Sequence, residues 1–160
     1  MTIAKCSQRK QLRIVNVTSE RIIMNNYKYE ELSVGMSESF NVTITEDMLS
    51  KFRDITGDVN PLHNDTEFAV SKGHPGRVAF GMLTASFLST LAGVYIPGER
   101  SLIQQVETKF ANPVYIGDEL TVKGEITELI ESVQRLELKV TITNQNGKKV
   151  LRGKMQILVV

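Results

Sequence analysis

The sequence predicts an α+β domain in which a curled antiparallel sheet wraps round one long apolar helix. Three observations point there. The stretch from Val78 to Gly98 carries no charge and has no polar face, so a helix within it must be covered on every side. Three later runs alternate apolar with polar residues and follow a longer, less regular one, the mark of an antiparallel sheet with one wet face. A single sheet curls over only part of such a helix. A second copy of the chain, or an overlying segment, must cover the rest, which predicts a homodimer.

The elements follow in order. Phe40, Val42 and Ile44 alternate with Asn41 and Thr43, predicting a strand over Ser39–Ile44. Thr45 then suits a helix N-cap, with Glu46 and Asp47 in the first turn, where the dipole favours acids. Met48, Phe52 and Ile55 form one apolar stripe, and Gly57 is the expected stop. From Gly57 to Gly76 the chain is rich in Asp, Asn, Pro, His and Gly. It predicts irregular structure with one helical turn near Glu67–Ser71. The apolar helix is expected from Gly81 to Val94, ending before Pro97-Gly98. Leu102–Phe110 reads as a long, less regular strand. Strands follow around Leu120–Thr127, Leu136–Thr143 and Leu151–Val159, with Asn146-Gly147 as a turn.

At 160 residues, 41% hydrophobic and 23% charged, the chain suits one domain with its own core. This composition excludes a disordered tail, a collagen-like rod and a charge-dominated nucleic-acid coat. The net charge is +1, which gives no global field to steer nucleic acid. The apolar stretch is diluted by Thr84, Ser86, Ser89 and Thr90 and stopped by Pro97, so a buried helix is expected rather than a membrane span. The one cysteine, Cys6, cannot close an internal disulfide, which suits a reducing cytoplasm. Residues 1–23 hold Lys5, Arg9, Lys10, Arg13 and Arg21 against Glu20. With no apolar signal core, residues 1–26 are expected to be a poorly ordered basic leader. Residues 27–160 are the expected domain.

The densest chemistry lies in TGDVNPLHNDTEF, Thr56 to Phe68. Asp58 and His63 flank Asn60-Pro61, and Pro61 fixes its own φ while pushing Asn60 into an extended state. A rigid turn there can aim both side chains at one water, as an acid and base acting together. The same residues also fit an Asx turn by Asp58 with His63 packed in the loop, and spacing alone leaves both readings open. His74, in KGHPG, reads as an exposed turn residue. Two histidines and scattered acids show no metal-ligand spacing. GHPGRVAFG lacks the ending of a phosphate loop. No metal or cofactor is expected.

FRDITGDVNPLHND, followed by Phe68-Ala69, resembles the hydratase motif of the MaoC-like family, which includes the (R)-specific enoyl-CoA hydratases. GRVAFGMLTAS, Pro97-Gly98 and FANPVYIGDEL at Phe110–Leu120 are similar to that family's later blocks. The resemblance spans about Tyr27 to Val160. It implies the hot-dog fold, a sheet wrapped round one helix, dimeric with the active site near the interface. It also implies a catalytic pair at Asp58 and His63, an Asn at Asn60 that shapes the site, and a serine at Ser86 hydrogen-bonded to Asp58. Phe80 departs from the family's frequent histidine before Gly-Met-Leu. That histidine is taken as non-catalytic, so the departure bears on substrate choice.

The implied reaction is reversible syn addition of water to a trans-2-enoyl thioester, giving an (R)-3-hydroxyacyl thioester. Charge builds on the thioester carbonyl oxygen, and the N–H of Gly81, at the start of the apolar helix, suits it. The carrier would be coenzyme A or, alternatively, acyl carrier protein. A non-catalytic acyl-thioester binder or a thioesterase is the remaining class, disfavoured by the intact Asp58–His63 pair.

Overall fold

The computed structural model describes residues 23–160. Cys6 and most of the basic leader lie outside the described residues. The first described segment is already tied to the fold. The Asn25 backbone N–H donates to the Val94 carbonyl (2.8 Å) and its Nδ2 to that of Tyr95 (2.7 Å). The Tyr27 hydroxyl donates to Glu38 (2.9 Å). Burial and that hydrogen bond push the Tyr27 hydroxyl up to about 12, so the phenol stays a donor at neutral pH. Docking thus begins two residues before the expected domain start at Tyr27.

Strand β1 (Ser37–Thr43) begins two residues before the expected strand and ends one residue short of it. It leads into helix α1 (Glu46–Thr56), whose predicted ends are both present. Thr45 Oγ1 accepts from the Met48 N–H (3.2 Å), and Gly57 closes the helix at φ 72°, a left-handed conformation that glycine adopts without a Cβ clash. The loop expected from Gly57 to Gly76 is more helical than its composition suggests. It holds α2 (Pro61–Asn64) and α3 (Thr66–Ser71). Pro61 does not interrupt a helix here. It sits at the first helical position, where its missing N–H costs nothing, and Asn60 and Asp65 cap the two helices.

Helix α4 (Gly81–Thr90) continues as a π-helical turn over Leu91–Tyr95, so the apolar element runs one residue past the expected Val94. No helix among the described residues is long and apolar enough to cross a membrane. The remaining strands are β2 (Ser101–Phe110), β3 (Glu119–Ile130), β4 (Arg135–Thr143) and β5 (Lys149–Val159). All pairings are antiparallel, in the order β1-β3-β4-β5-β2. The apolar face of this sheet closes over Leu83, Leu88, Leu91 and Ala92 of the long helical element, together with Ile96. Phe40, Val122, Leu138, Val140, Met155 and Ile157 supply the sheet side.

The chain leaves β2 at one edge of the sheet and re-enters at β3, near the other edge. The crossing segment, residues 111–118, passes the N-terminus of α4, where Ala79 donates to the Val114 carbonyl (2.8 Å). The described residues do not cover the helix on every side. Met82 is 64% exposed, and Ser86 and Ser89 are exposed on the same side.

Candidate active site

His63 is the third residue of α2, and the local sequence dictates its place. Asn60 accepts the Leu62 N–H at its Oδ1 (2.9 Å) and the His63 N–H at its carbonyl (3.1 Å), while Pro61 presets the first helical φ. Asn64 Nδ2 closes the turn on the carbonyls of Asn60 (2.9 Å) and Asp58 (3.3 Å). Asn60 therefore acts by holding α2, and through it His63.

The imidazole is fixed on two sides. Its Nδ1 lies 2.7 Å from the Val78 carbonyl. A carbonyl only accepts, so Nδ1 carries the proton and, in the neutral ring, Nε2 carries the lone pair. The ring face packs on Phe80, with centroids 4.3 Å apart, and Phe80 packs in turn on Phe52 at 5.2 Å. Phe80 is buried. Phe80 is thus an apolar support for the His63 ring.

His63 lines a cavity of about 300 Å³, together with Ala79, Gly81, Thr84, Phe110 and Val114. The walls are mostly apolar, as expected of a small-molecule site. Gly81 starts α4, and its N-cap, Phe80, offers no side-chain cap. The first N–H groups of the helix thus lack an intrahelical acceptor and lie where the cavity meets the positive end of the dipole. A side chain at position 81 would reach into this space: a Cβ there would stand 3.3 Å from the Phe110 ring.

The other predicted residues fall differently. Asp58 is exposed and does not line the cavity. Its Oδ1 accepts the Asn60 N–H (3.0 Å), the Asx turn that the spacing also allowed. The expected Ser86–Asp58 hydrogen bond is not formed. Ser86 donates to the Leu83 carbonyl (2.7 Å), because an exposed hydroxyl on a helix finds the preceding turn nearest. His74, expected to be an exposed turn residue, is half-buried and 3.0 Å from the Tyr115 hydroxyl. Val78 and Thr84 are functional neighbours that sequence reasoning missed. Thr84 stood in the uncharged run as one more small polar residue, and nothing local marks a backbone carbonyl as a histidine's partner.

Comparison with known proteins agrees with this fold. The MaoC like domain family matches residues 32–148. The chain is 31% identical over 131 residues to the (R)-specific enoyl-CoA hydratase of Rhodospirillum rubrum, covering 82% of this chain and 90% of that protein. It is 35% identical over 113 residues to the 3-hydroxybutyryl-CoA dehydratase of Methylorubrum extorquens, covering 71% and 72%. The structure superposes on the unliganded R-hydratase of Pseudomonas aeruginosa with TM-score 0.80 and 31% identity, over 84% of this chain and 86% of that one. The sheet wrapped round α4 is the hot-dog fold.

Proposed function

The chain belongs to the MaoC-like domain family, and from that premise we propose that it is an (R)-specific enoyl-CoA hydratase, a lyase that reversibly hydrates trans-2-enoyl-CoA. The observation that carries the reading is the His63 imidazole, held by the Val78 carbonyl on the wall of a cavity that also meets the uncapped start of α4.

The chemistry follows from that pairing. The thioester carbonyl makes carbon 3 of the enoyl group electrophilic. With the carbonyl oxygen at the Gly81 N–H, attack by water builds negative charge where the helix end stabilises it. His63 Nε2 takes one proton from the attacking water, and the hydroxyl joins carbon 3. The proton held on Nε2 then passes to carbon 2 from the same face, which completes the addition and restores neutral His63. We assign to Asp58 the holding of the attacking water and, in partnership with His63, help in returning the proton. Asp58 is exposed and set off the cavity wall in the single chain, so sharing that water with the imidazole requires its carboxyl to leave the Asn60 N–H and turn toward Nε2.

The assembly we propose is a homodimer that completes the site. Val106 and Phe110 pair with Met155 and Leu151 on the core-facing side of the sheet, yet they are 46% and 52% exposed. Among the described residues strand β2 is an edge, paired with β5 on one side. A second copy there would cover these residues and the Met82, Ser86 and Ser89 side of α4. Val106→Lys should therefore convert a dimer into a monomer by light scattering at micromolar concentration, since an unpaired buried ammonium is strongly unfavourable. A wild-type monomer, or a Val106→Lys dimer as tight as the wild type, would place the contact elsewhere.

Incubation with crotonyl-CoA tests the activity. The expected result is loss of the enoyl absorbance and formation of (R)-3-hydroxybutyryl-CoA, faster than with the acyl-carrier-protein thioester. Release of free thiol without hydration would make the protein a thioesterase, and an (S) product would overturn the assignment.

A further inference from the structure

Two side chains outside the cavity hold the strap that carries the Val78 carbonyl. The strap links α3 to α4 through residues 72–80. Near its far end it is paired with the crossing segment: Val78 and Tyr115 form an antiparallel bridge. Its beginning is bound to the same residue by side chains, with His74 Nδ1 and the Tyr115 hydroxyl 3.0 Å apart. The Tyr115 side chain thus holds the strap's beginning, while the backbone bridge beside it is closed by the Ala79 N–H on the Val114 carbonyl (2.8 Å). Tyr115 is itself anchored, since its N–H donates to Asp118 Oδ2 (2.9 Å), and Asp118 Oδ1 accepts from Gln145 (2.8 Å). On the other side, the His74 N–H donates to the Ala69 carbonyl at the end of α3 (3.1 Å). The strap meets α2 at two residues: Phe80, whose ring packs on His63, and Val78, whose N–H donates to Leu62 (3.1 Å) and whose carbonyl accepts from His63 (2.7 Å).

We infer that Tyr115 and His74 are positioning residues for His63: together they hold the Val78 carbonyl where it keeps the imidazole in the Nδ1–H tautomer. Neither lines the cavity, so their effect on substrate passes through His63. A neutral imidazole has two tautomers, and only the Nδ1–H form presents a lone pair at Nε2. Loss of the side-chain grip removes the tie at the strap's beginning, leaves the Ala79–Val114, Val78–Leu62 and Arg77–Glu46 contacts in place, and lets the Val78 carbonyl tilt from its present line to Nδ1. The fraction of His63 in the productive tautomer then falls, and turnover falls with it. The kinetic part of this inference rests on the hydratase reading; the tautomer is a property of the protein itself.

The test uses ¹⁵N-labelled full-length protein at alkaline pH, where imidazole is neutral. The chain has two histidines, so His63→Gln assigns both sets of nitrogen signals. Wild-type His63 is expected to show the Nδ1–H pattern alone. Tyr115→Phe and His74→Ala should each mix the tautomers and lower kcat by about fivefold to tenfold, with KM changed by less than about twofold. His74→Asn, whose amide can stand in for Nδ1, should restore both readouts. Unchanged His63 signals in both Tyr115→Phe and His74→Ala overturn the inference, even with kcat reduced, since that loss would be general and structural. A wild-type tautomer mixture overturns it as well. If Tyr115→Phe does not fold, His74→Ala alone decides. If the wild type does not hydrate crotonyl-CoA, the hydratase reading fails and the nitrogen signals still decide this inference.

Discussion

His63→Gln is expected to lower crotonyl-CoA hydration by about 10² to 10⁴-fold, the usual contribution of a positioned acid–base group. Glutamine fills much of the space against Phe80 but cannot accept a proton at the cavity wall. The fold and dimer should survive, with a stability loss of about 1 kcal/mol for the lost Val78 hydrogen bond. Asp58→Asn is expected to act in the same direction. If both groups hold one water, the double variant should lose far less than the product of the single losses. Initial rates on four proteins settle the matter. Near wild-type turnover in His63→Gln with an intact fold would remove His63 from the chemistry. A neutral Asp58→Asn would leave Asp58 with only its Asx turn to Asn60.

Gly153→Ala is expected to be the most damaging small substitution in the sheet. Gly153 lies in β5 opposite Thr108 of β2 and Val140 of β4. A Cβ there would stand 1.9 Å from the Glu107 carbonyl oxygen, and backbone cannot step aside as a flexible side chain can. Strand β2 would have to move off β5, at a cost of about 3 kcal/mol, the upper part of the range for overpacking. Because β2 carries Phe110 to the cavity wall, activity should fall along with stability. Urea unfolding measures the first effect, and an unchanged midpoint at unchanged slope would show that the strand pair tolerates the methyl group.

Local signals carried much of the fold. Thr45 and Gly57 mark both ends of α1 because a cap hydroxyl and a left-handed glycine are short-range devices. The alternation in β3, β4 and β5 was legible because each strand buries one face, so a period of two is imposed on the residues themselves. The DVNPLHN stretch was legible as a site in composition but not in conformation. Asn and Pro signal a loop and a helix start equally well, and only the Asn60 cap with Pro61 at the first helical position made it α2.

By itself, then, the sequence determined the α+β class, the apolar helix, the strand faces, and the loop that bears His63. Tertiary structure decided the strand order, since β2 pairs with β5 and not with its chain neighbour β3, and alternation says nothing about which edges meet. It decided that His63 rather than Asp58 reaches the cavity wall, and that Ser86 turns to its own helix. It also made His74 a half-buried partner of Tyr115, 41 residues away. The physical reason is common to these cases. Capping and periodicity act between residues a few positions apart, whereas a hydrogen bond to Val78 or Tyr115 exists only once the crossing segment and the strap have been packed side by side.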